Sequence, residues 1–424
     1  MRTFEGKKLL ILCGNIVHVK VVEAAKQMGV YTIVTDGLPL EEAPAKQIAD
    51  EALYINVLDV DTLVEYCKKN KIDGVINFCN DIGQRPHQQI CEKLGLPSYG
   101  TREQYFMLTD KNAFKKMCVE YGVDVIPQYD ESDIENDKVE FPVLVKPVDS
   151  RGSRGQAICY SYEELTKALS IAKKESTNGL AIIEKYMAGK QDFSMSYVFK
   201  NGNPYLTRTA DRYLGRAEDG LQKQCICSVS PSRYTKMYLE KVHCRVIKAM
   251  QGIGIKNGIV FMQGFIDGDT VRFYDPGLRL PGAEYEKLLL KATGFDLMKQ
   301  MIALSLGGEI DDYNGELANA YNLNNKVSVQ LLVSARGGTI SRFDGLDEIS
   351  QNPNVVTVAQ RYFVGQRVPQ TGDVKQRICE IVVLADRKDV KSTINFIQSQ
   401  LVVLDENNEN MLVSQFDSNI LEEI

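Results

Sequence analysis

Strand-like and helix-like segments alternate through the first hundred residues, and this alternation constrains the fold more than any other feature. Short apolar runs occupy residues 8–13, 30–35 and 74–79, and residues with helical spacing lie between them, most clearly at 59–70. Strands that alternate with helices pair in parallel and carry the helices on the faces of the sheet. We therefore predict an N-terminal α/β domain with a small doubly wound parallel sheet over residues 1–100.

Different signals organise the remainder of the chain. Asn201-Gly202 and Asp267-Gly268 each lie between β-rich runs and predict two hairpins. A polar stretch rich in Asn and Asp at 311–325 predicts a linker, and short β-like runs dominate from Val327 onward. The length of 424 residues suits about three domains. The predicted domains are 1–100, 101–310 with a lid at about 118–188, and a mostly-β or α+β C-terminal domain at 311–424.

Composition argues against several function classes. The formal charge of −6 argues against a protein dedicated to binding nucleic acid or an anionic membrane surface. No apolar segment approaches the length that a transmembrane helix requires. Three scattered histidines leave little material for a poly-His metal site or a Ser-His-Asp triad. Ten cysteines without a Cys-x-x-Cys pair, and no secretory leader, predict reduced thiols and a soluble cytoplasmic protein.

The first strand-to-helix turn suggests one alternative function. Dinucleotide-binding domains typically carry G-x-G-x-x-G at this turn, but this chain has Cys13-Gly14-Asn15-Ile16. A single glycine at such a position is usually only part of a turn. A nicotinamide-dependent oxidoreductase therefore remains an alternative that lacks its usual motif.

A set of charged residues in the middle region has an order that favours a nucleotide site. Lys111 opens a predicted helix, and Lys146 ends a predicted strand. The loop at 149–155, Asp-Ser-Arg-Gly-Ser-Arg-Gly, can present backbone N–H groups to phosphates because glycine allows a close approach. Gln263 and Asp275 lie on two strands predicted to pair. Individually, each feature has a simpler interpretation as a solvated cation, a surface loop or a hairpin residue.

Taken together, these residues resemble the ATP-grasp superfamily of carboxylate-activating ligases over about residues 8–310. The most specific stretches are FPVLVKPVDSRGSRG at 141–155 and IIEKYMAGKQDFS at 182–194. They are similar to the superfamily's lysine-bearing strand, flexible phosphate loop and hinge. The general likeness is to amino-acid ligases and to the carbamoyl phosphate synthetase large subunit. The fold that this resemblance implies has lid and central antiparallel-sheet domains after the N-terminal domain.

The resemblance implies a role for each matching residue in binding ATP. Lys111 and Lys146 correspond to two lysines that contact the phosphates, and Glu184 corresponds to the acid that receives the adenine amino group. Lys185 and Met187 correspond to hinge positions whose backbone contacts the adenine edge. The loop that closes over the β- and γ-phosphates corresponds to residues Ser150, Arg151, Gly152, Ser153 and Gly155.

Two positions depart from the family pattern. The acid that binds the ribose corresponds to Asp192 only after a shift of one residue. The usual ending Glu-x-Asn-x-Arg is replaced by Asp275-Pro-Gly277-Leu-Arg279. Gln263 and Asp275 correspond to the pair that binds Mg²⁺ (or Mn²⁺), but Gly277 has no side-chain oxygen. Since Mg²⁺ accepts water and phosphate oxygens as ligands, this loss reshapes a metal site without abolishing ATP binding.

The implied activity is an ATP-dependent ligase that activates a carboxylate as an acyl phosphate and joins it to an amine or related nucleophile. Lys146 and Arg279 are the implied catalytic residues, because catalysis of this kind is mainly positioning and charge neutralisation. The implied partners are ATP and small-molecule carboxylate and amine substrates, with a homodimer as a possible assembly. The alternative is a catalytically impaired ATP-binding regulatory or scaffold protein, which Gly277 favours.

The residues that select the substrate are less evident from the sequence. The charged segment 207–223 could hold an anionic substrate through Arg208, Arg212 or Arg216, or could equally be a solvated loop. Tyr285 could line the acceptor site, although a helix start at this position needs no function.

Overall fold

The computed structural model of the chain describes residues 4–148, 155–176, 179–308 and 315–423. The described strands are β1 (Lys8–Leu12), β2 (Tyr31–Thr35), β3 (Glu51–Leu53), β4 (Gly74–Ile76), β5 (Gln128–Tyr129), β6 (Val143–Pro147), β7 (Ala157–Cys159), β8 (Ala181–Lys185), β9 (Asp192–Lys200), β10 (Asn203–Leu214), β11 (Cys225–Ser230), β12 (Gly258–Asp267), β13 (Thr270–Gly277), β14 (Val327–Ala335), β15 (Gly338–Asp344), β16 (Val355–Gln360), β17 (Arg367–Val368), β18 (Arg377–Ala385), β19 (Val402–Asp405) and β20 (Leu412–Val413).

The described α-helices are α1 (Val19–Gln27), α2 (Pro44–Ile48), α3 (Val60–Asn70), α4 (Gln84–Leu94), α5 (Arg102–Met107), α6 (Lys111–Glu120), α7 (Glu131–Glu135), α8 (Tyr162–Glu175), α9 (Thr235–Lys241), α10 (His243–Gly252), α11 (Tyr285–Thr293), α12 (Leu297–Ser305), α13 (Leu346–Ser350) and α14 (Arg387–Gln400). None of the helices in the described ranges is long and apolar enough to cross a membrane.

The N-terminal region contains a parallel sheet with the strand order β3-β2-β1-β4. Alternate residues of β1 pack on opposite faces: Leu9 and Ile11 join one apolar cluster, and Leu10 and Leu12 join another. Both faces are covered, as expected of a parallel sheet. This confirms the predicted doubly wound arrangement.

The turn after β1 is closed by its own hydrogen bonds. The backbone N–H of Gly14 donates to Oδ2 of Asp36 (2.9 Å), and the N–H of Leu38 donates to Oδ1 of the same carboxylate (3.0 Å). Asp36 therefore links this turn to the end of β2. The contacts agree with the interpretation of Gly14 as a turn residue.

A small antiparallel sheet with the order β5-β8-β6-β7 forms within the predicted lid. Helix α8 packs against it through Leu165, Ala168 and Ala172, which share an apolar cluster with strand residues such as Val143. The side chain of Ser161 caps this helix by accepting a hydrogen bond from the N–H of Glu164 (3.3 Å). Residues 149–154, in the predicted phosphate loop, lie outside the described residues.

The central sheet is antiparallel, and around β9 it has one apolar and one polar face. Its main path is β13-β12-β9-β10-β11-β14-β18-β16, with β20 paired to β14. Both predicted hairpins form, since Lys200 pairs with Asn203 and Asp267 pairs with Thr270. Along β9, Phe193, Met195 and Tyr197 enter the large core, and the intervening Asp192, Ser194 and Ser196 occupy the opposite face.

The C-terminal region continues this sheet, because β14 pairs with β11 through Cys227↔Leu331 and Val229↔Val329. It also has an apolar cluster of its own, which includes Ile381 and Ile394. The domain boundary at 311 stays a prediction, because residues 309–314 lie outside the described part of the chain.

The predicted linker at 311–325 needs a correction in its second half. Residues Ala320–Asn325 form a 3₁₀ helix, and Ala320 and Leu323 are buried. The sequence appeared polar because only a minority of its side chains face the core. Those few apolar contacts are enough to attach the segment to the sheet.

All ten cysteines have free thiols, in agreement with the predicted reduced state.

His87 is buried, with its ring stacked on Tyr99 at 4.8 Å between centroids. Its Nε2 contacts the carbonyl oxygen of Val75 (3.1 Å), and its Nδ1 contacts the hydroxyl of Tyr105 (3.3 Å). Burial lowers the pKa of His87 to about 4. The neutral ring is therefore part of the N-terminal core.

This burial predicts that stability falls in mild acid. Below pH 6.5 the unfolded chain binds a proton at His87 that the native state binds only near pH 4, so the free energy of unfolding decreases as pH falls through this window. The shift corresponds to a loss of about 3 kcal/mol. Urea denaturation at pH 7 and pH 4.5 measures the loss, and His87→Gln should reduce it. His243→Gln, at a half-buried site, should change it less, and an unchanged pH dependence in His87→Gln would contradict the assignment.

Candidate active site

Charged residues from three parts of the fold lie close enough to interact electrostatically, and the region between them is here called the cleft. Helix α6 contributes Lys111, the lid sheet contributes Lys146 and Glu184, and the end of β13 contributes Asp275. Asp110 positions the start of α6 by accepting hydrogen bonds from the N–H groups of Asn112 (3.1 Å) and Ala113 (2.9 Å). The sequence prediction placed these residues in one site, and the electrostatic coupling between them agrees with a shared location.

Glu184 lies at the base of the cleft between two ammonium groups. Its Oε1 forms an ion pair with Lys115 and its Oε2 forms one with Lys146. Only 1% of Glu184 is exposed, and burial raises the pKa of its carboxyl group. Lys146 and Lys115 outweigh this effect and hold the pKa below its usual range. Glu184 therefore fixes both lysines, and its assignment to adenine remains a prediction.

Lys115 was missed by the sequence analysis. Its Nζ also lies 3.3 Å from the carbonyl oxygen of Ile126 and 3.2 Å from Oε1 of Gln128. The available signal was its spacing, because residues four apart share one face of a helix and Lys115 follows Lys111 by four. The cleft thus has one more cation than the sequence analysis assigned to it.

Lys111 and Asp275 interact electrostatically at the cleft. Burial lowers the pKa of Lys111, and the ammonium of Lys146 lowers it further. Burial raises the pKa of Asp275, as does the nearby carboxylate of Asp81, while Lys111, Arg279 and Lys146 oppose this shift. The carboxyl group of Asp275 is therefore surrounded by three cations.

Arg279 connects the cleft to the N-terminal domain. Its Nε donates to Oδ1 of Asp81 (2.6 Å), and its Nη1 donates to the carbonyl oxygen of Leu280 (2.8 Å). The guanidinium carbon lies 4.7 Å from the centre of the Phe261 ring. These contacts hold the guanidinium near Asp275, and the catalytic role of Arg279 remains a prediction.

Gln263 and Asp192 belong to a hydrogen-bonded group around Arg212. Nη1 of Arg212 donates to Oδ2 of Asp192 (2.8 Å) and to Oε1 of Gln263 (3.0 Å). The hydroxyl of Tyr274 donates to the same Gln263 oxygen (3.2 Å) and contacts Oδ1 of Asp192 (3.3 Å). Burial raises the pKa of Asp192 to about 6 in spite of Arg212. The metal role of Gln263 and the ribose role of Asp192 remain predictions, and either would compete with these bonds.

Phe261 fills the space beside Gly277. The two residues are paired in register, and a Cβ placed at Gly277 would lie 2.2 Å from Cε1 of Phe261. A larger residue at 277 therefore requires the ring to move. The missing side-chain oxygen at Gly277 is evident from the sequence, whereas the aromatic ring that occupies its place is evident only from the structure.

The donor set fits a single hard cation with few protein ligands. Asp275 supplies a carboxylate, and Gln263, paired with it in register, supplies an amide oxygen that now accepts two hydrogen bonds. Across the described ranges no group of three or more His, Cys, Asp or Glu side chains could hold a metal ion. Mg²⁺ tolerates such a site because it keeps waters and accepts phosphate oxygens.

The structure describes the predicted hinge residues Lys185 and Met187 and, of the predicted phosphate loop at 149–155, only Gly155. The N–H of Lys185 donates to the carbonyl oxygen of Pro127 (2.9 Å), and the carbonyl oxygen of Met187 accepts from the N–H of Lys190 (3.2 Å). Gly155 has φ +69°, and a Cβ there would lie 2.8 Å from Cγ of Pro147. The predicted residues Ser150, Arg151, Gly152 and Ser153 fall outside the described residues.

Comparison with known proteins identifies related sequences. Residues 110–313, nearly half of the chain, match the family model described as the carbamoyl-phosphate synthase L chain, ATP binding domain. A pyruvate carboxylase subunit of Methanothermobacter thermautotrophicus is 24% identical over 72% of this chain and 65% of its own length. The carbamoyl phosphate synthase large chain, N-terminal section, of Aquifex aeolicus is 22% identical over 76% of this chain and 59% of its own. The chain therefore spans less than two thirds of either relative.

Solved structures share the fold over nearly the whole chain. The biotin carboxylase domain dimer of 2-oxoglutarate carboxylase from Hydrogenobacter thermophilus, in complex with MgADP, ADP and bicarbonate, has a TM-score of 0.76. It is 19% identical and covers 98% of this chain and 97% of its own. The L-amino acid ligase from Bacillus licheniformis has a TM-score of 0.73, with 15% identity over 95% of this chain and 100% of its own.

The contact between Gly277 and Phe261 predicts that Gly277→Asn lowers the free energy of unfolding by about 1–3 kcal/mol, because it overpacks this region. The single variant should not gain Mg²⁺-dependent ATP affinity, whereas the double variant Phe261→Ala, Gly277→Asn should. Denaturant titration and calorimetry with and without Mg²⁺ measure the two effects. Gly282→Asn is the control, since a Cβ at Gly282 meets no atom within 4 Å. A stable single variant with stronger Mg²⁺ dependence would show that Phe261 does not restrict the site.

Proposed function

We propose that this chain, whose residues 110–313 match the carbamoyl-phosphate synthase L chain, ATP binding domain, is an ATP-dependent ligase of the ATP-grasp type that joins a carboxylate to an amine or related nucleophile. The observation that carries the proposal is the set of Lys111, Lys146, Asp275 and Arg279, three cations and a carboxylate facing one cleft. A polyphosphate would complete the neutralisation of this cleft. The names of the related proteins, which include carboxylases and ligases, support the same reaction class.

The side chains of the cleft act mainly by positioning and neutralising charge. Lys111 and Lys146 would bind phosphate oxygens, and Glu184 keeps Lys146 directed into the cleft through its ion pair. Asp275 would hold Mg²⁺, which when bound would supply positive charge to offset the charge of the phosphates. Arg279 would stabilise the negative charge of the transferring phosphoryl group.

The proposed reaction proceeds in two steps. A carboxylate oxygen of the substrate attacks the γ-phosphorus of ATP, and the bond from that phosphorus to the bridging oxygen of ADP breaks. The amine nitrogen then attacks the acyl carbon, phosphate leaves, and the nitrogen loses a proton. The first step requires two anions to approach each other, which the surrounding lysines and Arg279 make less unfavourable.

Further parts of the site would complete the binding of ATP. Glu184 and the backbone of Lys185 and Met187 would contact adenine, Asp192 would contact the ribose, and the loop at 150–155 would cover the phosphates. Gln263 would assist Asp275 at the metal, once its amide oxygen leaves Arg212. We also propose a homodimer, because a structural neighbour is described as a dimer.

The packing of Phe261 against Gly277 favours a second candidate function. A chain that binds ATP with a reshaped metal site could serve as a regulatory or scaffold protein without turnover. Release of phosphate separates the two candidates, since only the ligase forms ADP and phosphate in the presence of its substrates.

Lys146→Ala is expected to weaken ATP binding by about tenfold or more, because it removes a charge-assisted contact from a buried site. Titration calorimetry with ATP, with and without Mg²⁺, measures the change. Lys167→Ala is the control, since Lys167 is an exposed residue of α8 paired with Glu163. Equal affinities of the wild type and Lys146→Ala would remove the phosphate role of Lys146.

The ligase proposal predicts substrate-dependent formation of ADP and phosphate. The wild type is incubated with Mg²⁺ and ATP, and phosphate release is measured with pairs of carboxylates and amines, beginning with amino acids. Arg279→Met should reduce phosphate release far more than ATP affinity, because the guanidinium acts mainly on the transferring group. ATP binding without release for any pair in the panel would favour the regulatory function.

A further inference from the structure

Arg208 is a buried cation whose hydrogen bonds all go to neutral groups. It lies on β10, and only 8% of the residue is exposed. Its Nη2 donates to Oγ of Ser228 (2.5 Å) and to Oε1 of Gln330 (2.5 Å), and its Nε donates to Oγ of Ser230 (3.3 Å). Burial lowers the pKa of Arg208 to about 10, so the guanidinium remains charged at neutral pH. The site therefore contains a positive charge without a carboxylate among the described contacts.

Neighbouring cations around the cleft are arranged differently. Arg212 is paired with Asp192 at 2.8 Å, and Arg377 is paired with Glu380 at 2.9 Å. Lys20 contacts both Glu284 and Glu286 at 2.6 Å. A buried charge without a counter-ion is unfavourable for folding. Retaining one beside three sets of paired charges favours a counter-ion from outside the described part of the chain.

The strand register places Arg208 on the same face of the sheet as the candidate metal site. Gly277 pairs with Phe261, Phe261 pairs with Ser196, and Ser196 pairs with Arg208. Three strand spacings separate the two ends of this row, or about 14 Å along the sheet. The row begins at Gly277, which has no side chain, and ends at the long side chain of Arg208. Of the two residues between them, only Phe261 has a large side chain. The register therefore places Arg208 and the candidate metal site on one face of the sheet.

The guanidinium of Arg208 is held in place by the residues around it. The ring of Tyr285 lies under it, with 5.7 Å between the guanidinium carbon and the ring centre. Gln330 is fixed in turn, because its Nε2 donates to the carbonyl oxygen of Ala283 (3.0 Å). In the described part of the chain, Nη1 of Arg208 donates no hydrogen bond, whereas Nε and Nη2 do. This amino group is free to donate to a ligand.

We infer that Arg208 binds an anionic group of the substrate, a carboxylate or a phosphate ester separate from the carboxylate that ATP activates. Ser228, Ser230 and Gln330 position the guanidinium, and Nη1 makes the contact with the anion. The inference rests on the proposed function, since it takes the polar face of the sheet as the substrate side of the cleft. It specifies a substrate with a second anionic group at a distance from the reacting one.

The test uses inorganic phosphate and glutarate as probes of the full-length chain, without nucleotide. Each anion is titrated against the wild type, Arg208→Gln and Lys146→Ala, and the melting temperature is recorded at constant ionic strength with chloride as the reference. We expect at least one probe to stabilise the wild type and Lys146→Ala, and to have about tenfold weaker apparent affinity for Arg208→Gln. Phosphate and glutarate responses distinguish a phosphate ester from a carboxylate.

A stability measurement separates recognition from a purely structural role. Removing an uncompensated charge should leave the melting temperature of ligand-free Arg208→Gln unchanged or higher, whereas loss of a structural contact would lower it. Arg208→Lys, which keeps the charge, should retain part of the anion response and serves if the glutamine variant does not fold. Arg233→Gln is the matched control, because Arg233 is paired with Asp211.

Two results would overturn the inference. One is an equal anion response in the wild type and Arg208→Gln, and the other is no response of the wild type to either probe. Both readouts are independent of ATP. Failure of nucleotide binding or of phosphate release would therefore contradict the proposed ligase activity alone. Failure of the anion site would be seen separately, as a lost response to the anion probes.

Discussion

The carboxylate of Glu184, held between the ammonium groups of Lys115 and Lys146, is the interaction on which the cleft depends. It joins helix α6 to two strands of the lid sheet, and it does so where water is excluded. With Lys111 included, the cations exceed the carboxylates of Glu184 and Asp275. Such an excess of positive charge attracts anions, which agrees with the proposed binding of phosphates.

Beside the charged residues of the cleft, the central sheet presents a polar face that extends over several strands. Because side chains alternate along each strand, one face of β9 supplies Phe193 and Met195 to the core while the other carries Asp192 and Ser194. The polar face continues across neighbouring strands as far as Arg208. One architectural rule, the period of two, thus accounts both for the stability of the sheet and for the placement of the functional side chains.

Features that depend on local sequence patterns could be predicted, whereas features that depend on contacts between distant residues could not. Alternating strands and helices predicted the parallel sheet, and the Asp267-Gly268 turn predicted the hairpin that pairs Gln263 with Asp275. Lys115 could have been found from its helical spacing. The packing of Phe261 against Gly277 could not, since it requires the register of two strands. The bonds from Arg212 and Tyr274 to Gln263 likewise depend on tertiary placement.

The continuation of the central sheet into the C-terminal region has a consequence for how the chain can be divided. Strand β11 is an interior strand only because β14, about one hundred residues later, pairs with it through residues such as Val229 and Val329. A fragment that ended before β14 would expose the backbone N–H and C=O groups along this side of β11. Exposed edges of this kind promote pairing between chains. The two halves of the sheet are therefore one cooperative unit, and the C-terminal region protects the rest from self-association.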